Sequence, residues 1–152
     1  MRRLASPTDC RFLTFSCSGR RNYFQEPWTK DIAVSQLALT KDHFGFQLYA
    51  YTIMPNHIHL LIWPDETIAG VSKILNSYKG QTARKILTNS TLHPRPFWAS
   101  GGGYDTSITH HKHFCQVVDY IEMNPVKKEL CTGPENYPWG SAGSLLDICD
   151  PW

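Results

Sequence analysis

The chain has no Cys-x-x-Cys pair, no apolar run of eighteen residues and no strong excess of either charge. Each absence removes a class of protein. The five cysteines (Cys10, Cys17, Cys115, Cys131 and Cys149) are odd in number. That argues against a disulfide framework or a thiolate zinc site and for a reducing compartment. Without a long apolar window there is no candidate membrane helix. Arg2 and Arg3 are not followed by the apolar stretch of a signal peptide, so a cytoplasmic protein is expected. Fifteen Lys and Arg against thirteen Asp and Glu leave a net charge of +2, which permits nucleic-acid binding without requiring it. No repeat and no low-complexity tract interrupts the 152 residues, so one domain spanning 1–152, with a core of its own, is expected.

What the chain does have is His57-Ile58-His59, set in the apolar, β-prone run Tyr51 to Trp63. Strand side chains alternate with period two. Both imidazoles therefore project from one face, and Ile58 points into the opposite layer. Two histidines on one face of a buried strand need satisfying. They are either hydrogen-bonded core residues or ligands of a divalent metal, for which neutral imidazole is a common donor.

A second informative segment runs from His113 to Pro125. Phe114, Val117, Val118 and Ile121 fall at i, i+3, i+4 and i+7, the apolar stripe of an amphipathic helix. Tyr120 and Asn124 lie off the stripe, four apart, and so stack one turn from each other, with Gln116 a turn earlier. Pro125 is expected to end or kink the helix near Asn124. A tyrosine phenol is a workable nucleophile towards phosphorus, and an asparagine carbonyl oxygen is a workable hard ligand. The plainer reading of Tyr120 is a residue at the core margin with its hydroxyl in water.

The spacing predicts a coarse architecture. Strands are expected over Arg11–Cys17, Phe44–Ile53, His57–Trp63 and Tyr104–Ile108. Met54-Pro55-Asn56 reads as the turn of an antiparallel pair. Helices are expected from Pro27 to about Asp42, from Thr67 to Leu87, and from about His111. Pro94, Pro96 and Gly101-Gly102-Gly103 mark a loop region. The fold class is therefore α+β, a central antiparallel sheet with helices packed mainly on one face.

Two sets of motifs together resemble a known family. Met54-Pro55-Asn56-His57-Ile58-His59, followed about sixty residues later by Asp119-Tyr120-Ile121-Glu122-Met123-Asn124-Pro125-Val126-Lys127, is similar to the single-tyrosine HUH transposases, in which two histidines flank a hydrophobic residue. Within that group the chain looks most like the REP-associated tyrosine transposases. Tyr137-Pro138-Trp139-Gly140-Ser141 is also similar to a segment that follows their tyrosine helix. The resemblance implies a ferredoxin-like or RRM-like sheet, His57, His59 and Asn124 as metal ligands, and Tyr120 as nucleophile. It implies Mg²⁺ or Mn²⁺ as cofactor, with Mn²⁺ the better match to nitrogen donors; His-His-Asn is not a usual catalytic zinc set. It implies a single-stranded or hairpin DNA partner and a 5′-phosphotyrosine intermediate. One departure is visible: relatives often place a Gly near Leu after Asn-Pro-Val-Lys, and this chain has Lys128-Glu129-Leu130. A changed helix exit is expected there.

The residues leave other functions open. A non-cutting hairpin-binding module would keep the fold, and a nuclease using water would keep the metal, although no carboxylate base stands beside the His pair in the sequence. The DNA-contact candidates are Arg20, Arg21, Lys73, Lys79, Arg84 and Lys112, with Arg2, Arg3, Arg11 and Lys85 as further cations. Each alone reads better as solvated surface. His111 and His113 share the His-x-His spacing, but at a helix start residues two apart diverge, so a polar helix N-terminus is expected rather than a second metal site. Asp105 and Asp119 are candidates for orienting active-site groups, with Asp119 read rather as a solvent-facing helix residue. A monomer is expected, with a homodimer as the alternative.

Overall fold

The computed structural model describes residues 10–91, 96–101, 103–144, 146 and 148–149. Arg2, Arg3, Pro94 and Gly102 lie outside the described residues. Seven elements follow in order: β1 (Cys10–Ser16), α1 (Pro27–Phe44), β2 (Gln47–Ile53), β3 (His57–Trp63), α2 (Val71–Thr88), β4 (Tyr104–Ile108) and α3 (His111–Lys127). The strands form one antiparallel sheet in the order β2-β3-β1-β4. This is two interleaved strand–helix–strand units, the ferredoxin-like layout. Right-handed crossovers place α1 and α2 on the same side of the sheet.

The alternation of each strand divides the core in two. Leu13 and Phe15 of β1, Leu48, Tyr51 and Ile53 of β2, and Ile58, Leu60 and Ile62 of β3 pack with Leu37 of α1 and Ile74, Tyr78 and Ile86 of α2. The Tyr78 hydroxyl donates to the Ala33 carbonyl at 2.9 Å and ties those two helices together. On the other face, Phe114, Val117 and Ile121 of α3 pack with Cys10, Tyr49, Ala50, Leu61 and Ile108. Tyr49 and Ala50 both reach this face because the β2–β3 register shifts between Leu48 and Ala50. None of the five cysteines is in a disulfide.

Four element ends depart from the sequence expectation by two residues or more, each for a local reason. Helix α1 runs to Phe44 rather than Asp42, because Gly45 at φ 69° supplies the left-handed cap and donates to the Lys41 carbonyl; β2 accordingly starts at Gln47 instead of Phe44. Helix α2 starts at Val71 rather than Thr67, because the Asp65 carboxylate holds Thr67 and its carbonyl holds Ile68 and Ala69 in a separate turn. Helix α3 continues past Pro125 to Lys127. A proline in the last turn removes a single backbone donor, and the turn still closes on it: Leu130 N–H donates to Pro125 O and Glu129 N–H to Val126 O, both at 2.9 Å.

That closure also decides the departure at Lys128-Glu129-Leu130. Glu129 sits at φ 58°, the left-handed position that a glycine would serve. The chain leaves the helix through a glutamate held in the left-handed region, at a cost in strain. Glu129→Gly is expected to raise stability by about 1 kcal/mol. Chemical denaturation checks this; a loss of stability would contradict it.

The segment Tyr137–Ser141 closes the free edge of β2. Ile53 N–H donates to Trp139 O at 2.8 Å, and Ser141 N–H to Tyr51 O at 2.9 Å. The Tyr137 hydroxyl donates to Ile53 O at 2.6 Å, and the Ser141 hydroxyl donates to Glu122 of α3 at 2.8 Å. An exposed sheet edge is thereby covered, and α3 is fastened to it.

Candidate active site

His57 and His59 lie on β3 and face α3, as period-two alternation requires. His59 is buried and His57 half-buried. Their Nε2 atoms are 3.1 Å apart, and the rings meet edge to face. Each Nδ1 is held from behind. His57 Nδ1 lies 2.6 Å from Asn56 Oδ1, an atom that only accepts, so His57 carries its proton on Nδ1 and presents a lone pair at Nε2. His59 Nδ1 lies 2.7 Å from Thr14 Oγ1 across the β1–β3 register pair. A hydroxyl donates or accepts. Thr14 therefore supports either tautomer of His59: Nε2–H donating to His57, or Nδ1–H with both Nε2 lone pairs converging on one cation.

Burial, together with nearby Arg20 and Lys128, pulls the His57 pKa down to about 4. Burial, then the neighbouring His57, pulls that of His59 down to about 3. Both imidazoles are neutral at pH 7, the form that binds metals. Unfolded histidines titrate near 6.5, so below that pH the unfolded chain binds more protons than the folded one. The stability these residues contribute is complete above about pH 6.5 and is lost as pH falls through the folded values near 4 and 3. The melting temperature of metal-free protein is expected to drop steadily from pH 6.5 to pH 4. A flat profile over that window would contradict the burial of the pair.

Helix α3 brings the other two groups. Tyr120 is exposed, with its ring 5.5 Å from that of His59 and 6.0 Å from that of Phe12, edge to face in both cases. Asn124, one turn on, is buried at 5 % exposure. Its Oδ1 has no hydrogen-bond donor among the described residues. A buried carbonyl oxygen left unpaired costs about 1–3 kcal/mol. Such an atom fits a hard cation, and two imidazole lone pairs with one amide oxygen form a plausible donor set for Mn²⁺ or Mg²⁺. Among the described residues no group of three His, Cys, Asp or Glu forms an alternative metal site.

The predicted DNA contacts separate. Arg20 is held at φ 55° after Gly19 and lines a pocket of about 260 Å³ with His57, Asn56 and Lys128. Arg21 is exposed and donates to the Tyr23 hydroxyl at 3.1 Å. Lys112 is exposed in the first turn of α3. Lys73, Lys79 and Arg84 belong to α2, on the far side of the sheet from Tyr120. Lys79 lies over the Phe15 and Trp98 rings, at 5.7 Å from each centroid, and Arg84 donates to Gln81. The structure does not bring these three to the histidines. Asp105 pairs with Arg11 at 2.8 Å, and register places both on the α1–α2 face, so neither orients the site; Asp119 is exposed. His111 approaches Cys115 Sγ, four residues on. Thr14, Phe12 and Asn56 are the participants that sequence reasoning missed. Only Asn56, adjacent to His57, carried a signal in the sequence.

The family model for IS200-like transposases matches residues 11–124. The chain belongs to this family. The match takes in the His pair, Tyr120 and Asn124 together. Among solved structures, a REP-associated tyrosine transposase bound to a REP hairpin aligns with a TM-score of 0.73 and 20 % identity, covering 93 % of this chain and 81 % of that one. A candidate transposase from Deinococcus radiodurans aligns with a TM-score of 0.53 and 18 % identity, over 80 % of this chain and 95 % of that one. At these identities both likenesses show the shared fold. No curated protein sequence matches the chain. Among the described residues of this transposase-family chain, no helix is long and apolar enough to cross a membrane.

Proposed function

We propose that this transposase-family protein is a metal-dependent single-stranded DNA endonuclease and strand transferase that acts on hairpin DNA through a covalent 5′-phosphotyrosine. The observation that carries the reading is the meeting of Tyr120 with the His57–His59 pair, one helical turn from the unpaired Asn124 oxygen. The hairpin as substrate is supported by the REP hairpin held by the structural relative.

His57, His59 and Asn124 would hold Mg²⁺ or Mn²⁺. When bound, such an ion supplies positive charge against the non-bridging oxygens of a phosphodiester. Asn56 and Thr14 hold the two rings from behind and keep their outer nitrogens turned to one point. Tyr120 stands exposed beside them, so a strand can reach its hydroxyl from solvent. The Tyr120 Oη attacks phosphorus, an Oη–P bond forms, and the bond from phosphorus to the 3′ oxygen breaks. The phenolic proton is lost and the leaving oxygen gains one, ending as a free 3′-hydroxyl. One phosphoester replaces another, so no nucleoside triphosphate is needed and a 3′-hydroxyl can reverse the step to rejoin strands.

The test uses single-stranded hairpin DNA from the flanks of the gene, labelled on either side of the cut, with Mn²⁺ or Mg²⁺. A denaturant-stable adduct carrying the label from the 5′ end of the cut is expected. Cleavage without an adduct would replace the reading with a nuclease using water. Binding with neither product would replace it with a non-cutting module.

A further inference from the structure

Among the described residues, helix α3 leaves one corner of its sheet face uncovered. Register sets Tyr104 of β4 beside Thr14 of β1, and Thr14 beside His59 of β3, so the three side chains share the face that carries the histidines. Phe12 and Thr106 form the next paired row. The buried α3 contacts centre on Cys10, Tyr49, Ala50, Leu61 and Ile108, with Phe12 packed at their margin. Tyr104 is 54 % exposed although it sits within a sheet. Its ring meets Phe12 edge to face at 5.6 Å, and Phe12 meets both Tyr120 and His59. An aromatic row thus runs from the edge strand to the candidate nucleophile.

We propose that this corner seats one unpaired nucleotide beside the scissile phosphate, with its base stacked on Tyr104. The proposal rests on the preceding reading of the substrate as single-stranded DNA. A strand whose phosphate reaches Tyr120 has to place its adjoining bases on nearby surface, and this open corner is continuous with the site. A base has a flat, apolar face that is exposed once unpaired, and aromatic rings on a sheet face are suited to take it. The position of Tyr104 is fixed rather than adaptable. Gly103 lies at φ 70°, and a Cβ there would stand 2.2 Å from the Thr14 carbonyl oxygen, so β4 begins pressed against β1. Phe12, wedged between Tyr104 and Tyr120, keeps the row in place.

The test replaces, one at a time, each base of the unpaired flank of the hairpin substrate with the fluorescent base 2-aminopurine. Each oligonucleotide is titrated with the Tyr120→Phe protein and with the same protein carrying Tyr104→Ala or Tyr104→Phe. One flank position is expected to be quenched on binding. Tyr104→Ala is expected to abolish that quenching and weaken binding about 10-fold, while Tyr104→Phe keeps both. Quenching at no flank position, or quenching that survives Tyr104→Ala, would overturn the proposal. Wild-type protein is assayed for the covalent adduct on the same oligonucleotides. An adduct without Tyr104-dependent quenching overturns the stacking seat alone. Neither adduct nor binding to any flanked hairpin overturns the underlying reading and the seat with it.

Discussion

Tyr120→Phe is expected to eliminate the protein–DNA adduct and to slow strand cleavage by about 10⁴-fold or more, the scale on which loss of a nucleophile acts. Hairpin binding and folding should stay close to wild type. The reason lies in what Tyr120 touches. Its contacts with His59 and Phe12 are made by the ring, and the residue is 45 % exposed. Phenylalanine keeps those edge-to-face contacts and leaves no cavity, so the stability change should remain within about 0.5 kcal/mol. A gel shift and a thermal melt separate the chemical from the structural effect. Cleavage that persists in this variant at near wild-type rate would remove tyrosine chemistry from the mechanism.

Much of this site was legible because it depends on two periodicities. Alternation alone puts His57 and His59 on one face of β3, and the spacing of Phe114, Val117 and Ile121 alone orients α3, since all three are buried against the sheet. Strand order is another matter. Nothing local in Thr14 or Phe12 marks them as neighbours of His59, because that adjacency follows from β1 pairing with β3. The basic residues of α2 lie apart from the histidines for a related reason. A charge pattern marks an outward face but does not say which layer the helix joins. The right-handed crossover does, and it carries Lys73, Lys79 and Arg84 to the side away from Tyr120. The left-handed residue after α3 was hidden because a glutamate occupies it.

Helical spacing also showed Tyr120 and Asn124 to be neighbours but not how differently they are placed. The tyrosine is open to solvent, and the asparagine one turn on is enclosed. If Tyr120 is the nucleophile and Asn124 the metal ligand, one turn of one helix serves a group that has to meet a polymer and a group that has to be shielded from water. The Ser141 hydroxyl on Glu122, between the two in sequence, holds that turn to the closed edge of β2.

Asn124→Ala is the second decisive substitution. The Asn124 oxygen is buried without a donor, a cost that a purely structural asparagine has no reason to carry. If it is a metal ligand, its removal should leave Tyr120 in place and DNA binding largely intact. Cleavage should nevertheless fall by more than the roughly 10- to 100-fold that loss of a mere supporting partner costs at a metal site. Chelation of wild-type protein should have the same effect, reversed by Mn²⁺. Stability supplies an independent readout, because a ligand that binds only the folded state raises its melting temperature with concentration. Wild-type protein should show that rise with Mn²⁺, and Asn124→Ala should show little of it, while its metal-free melting stays near wild type. Loss of tight DNA binding in the variant, or an undiminished Mn²⁺ shift, would mean that Asn124 serves the helix rather than the metal. The His57–His59 pair would then have to be completed from the DNA.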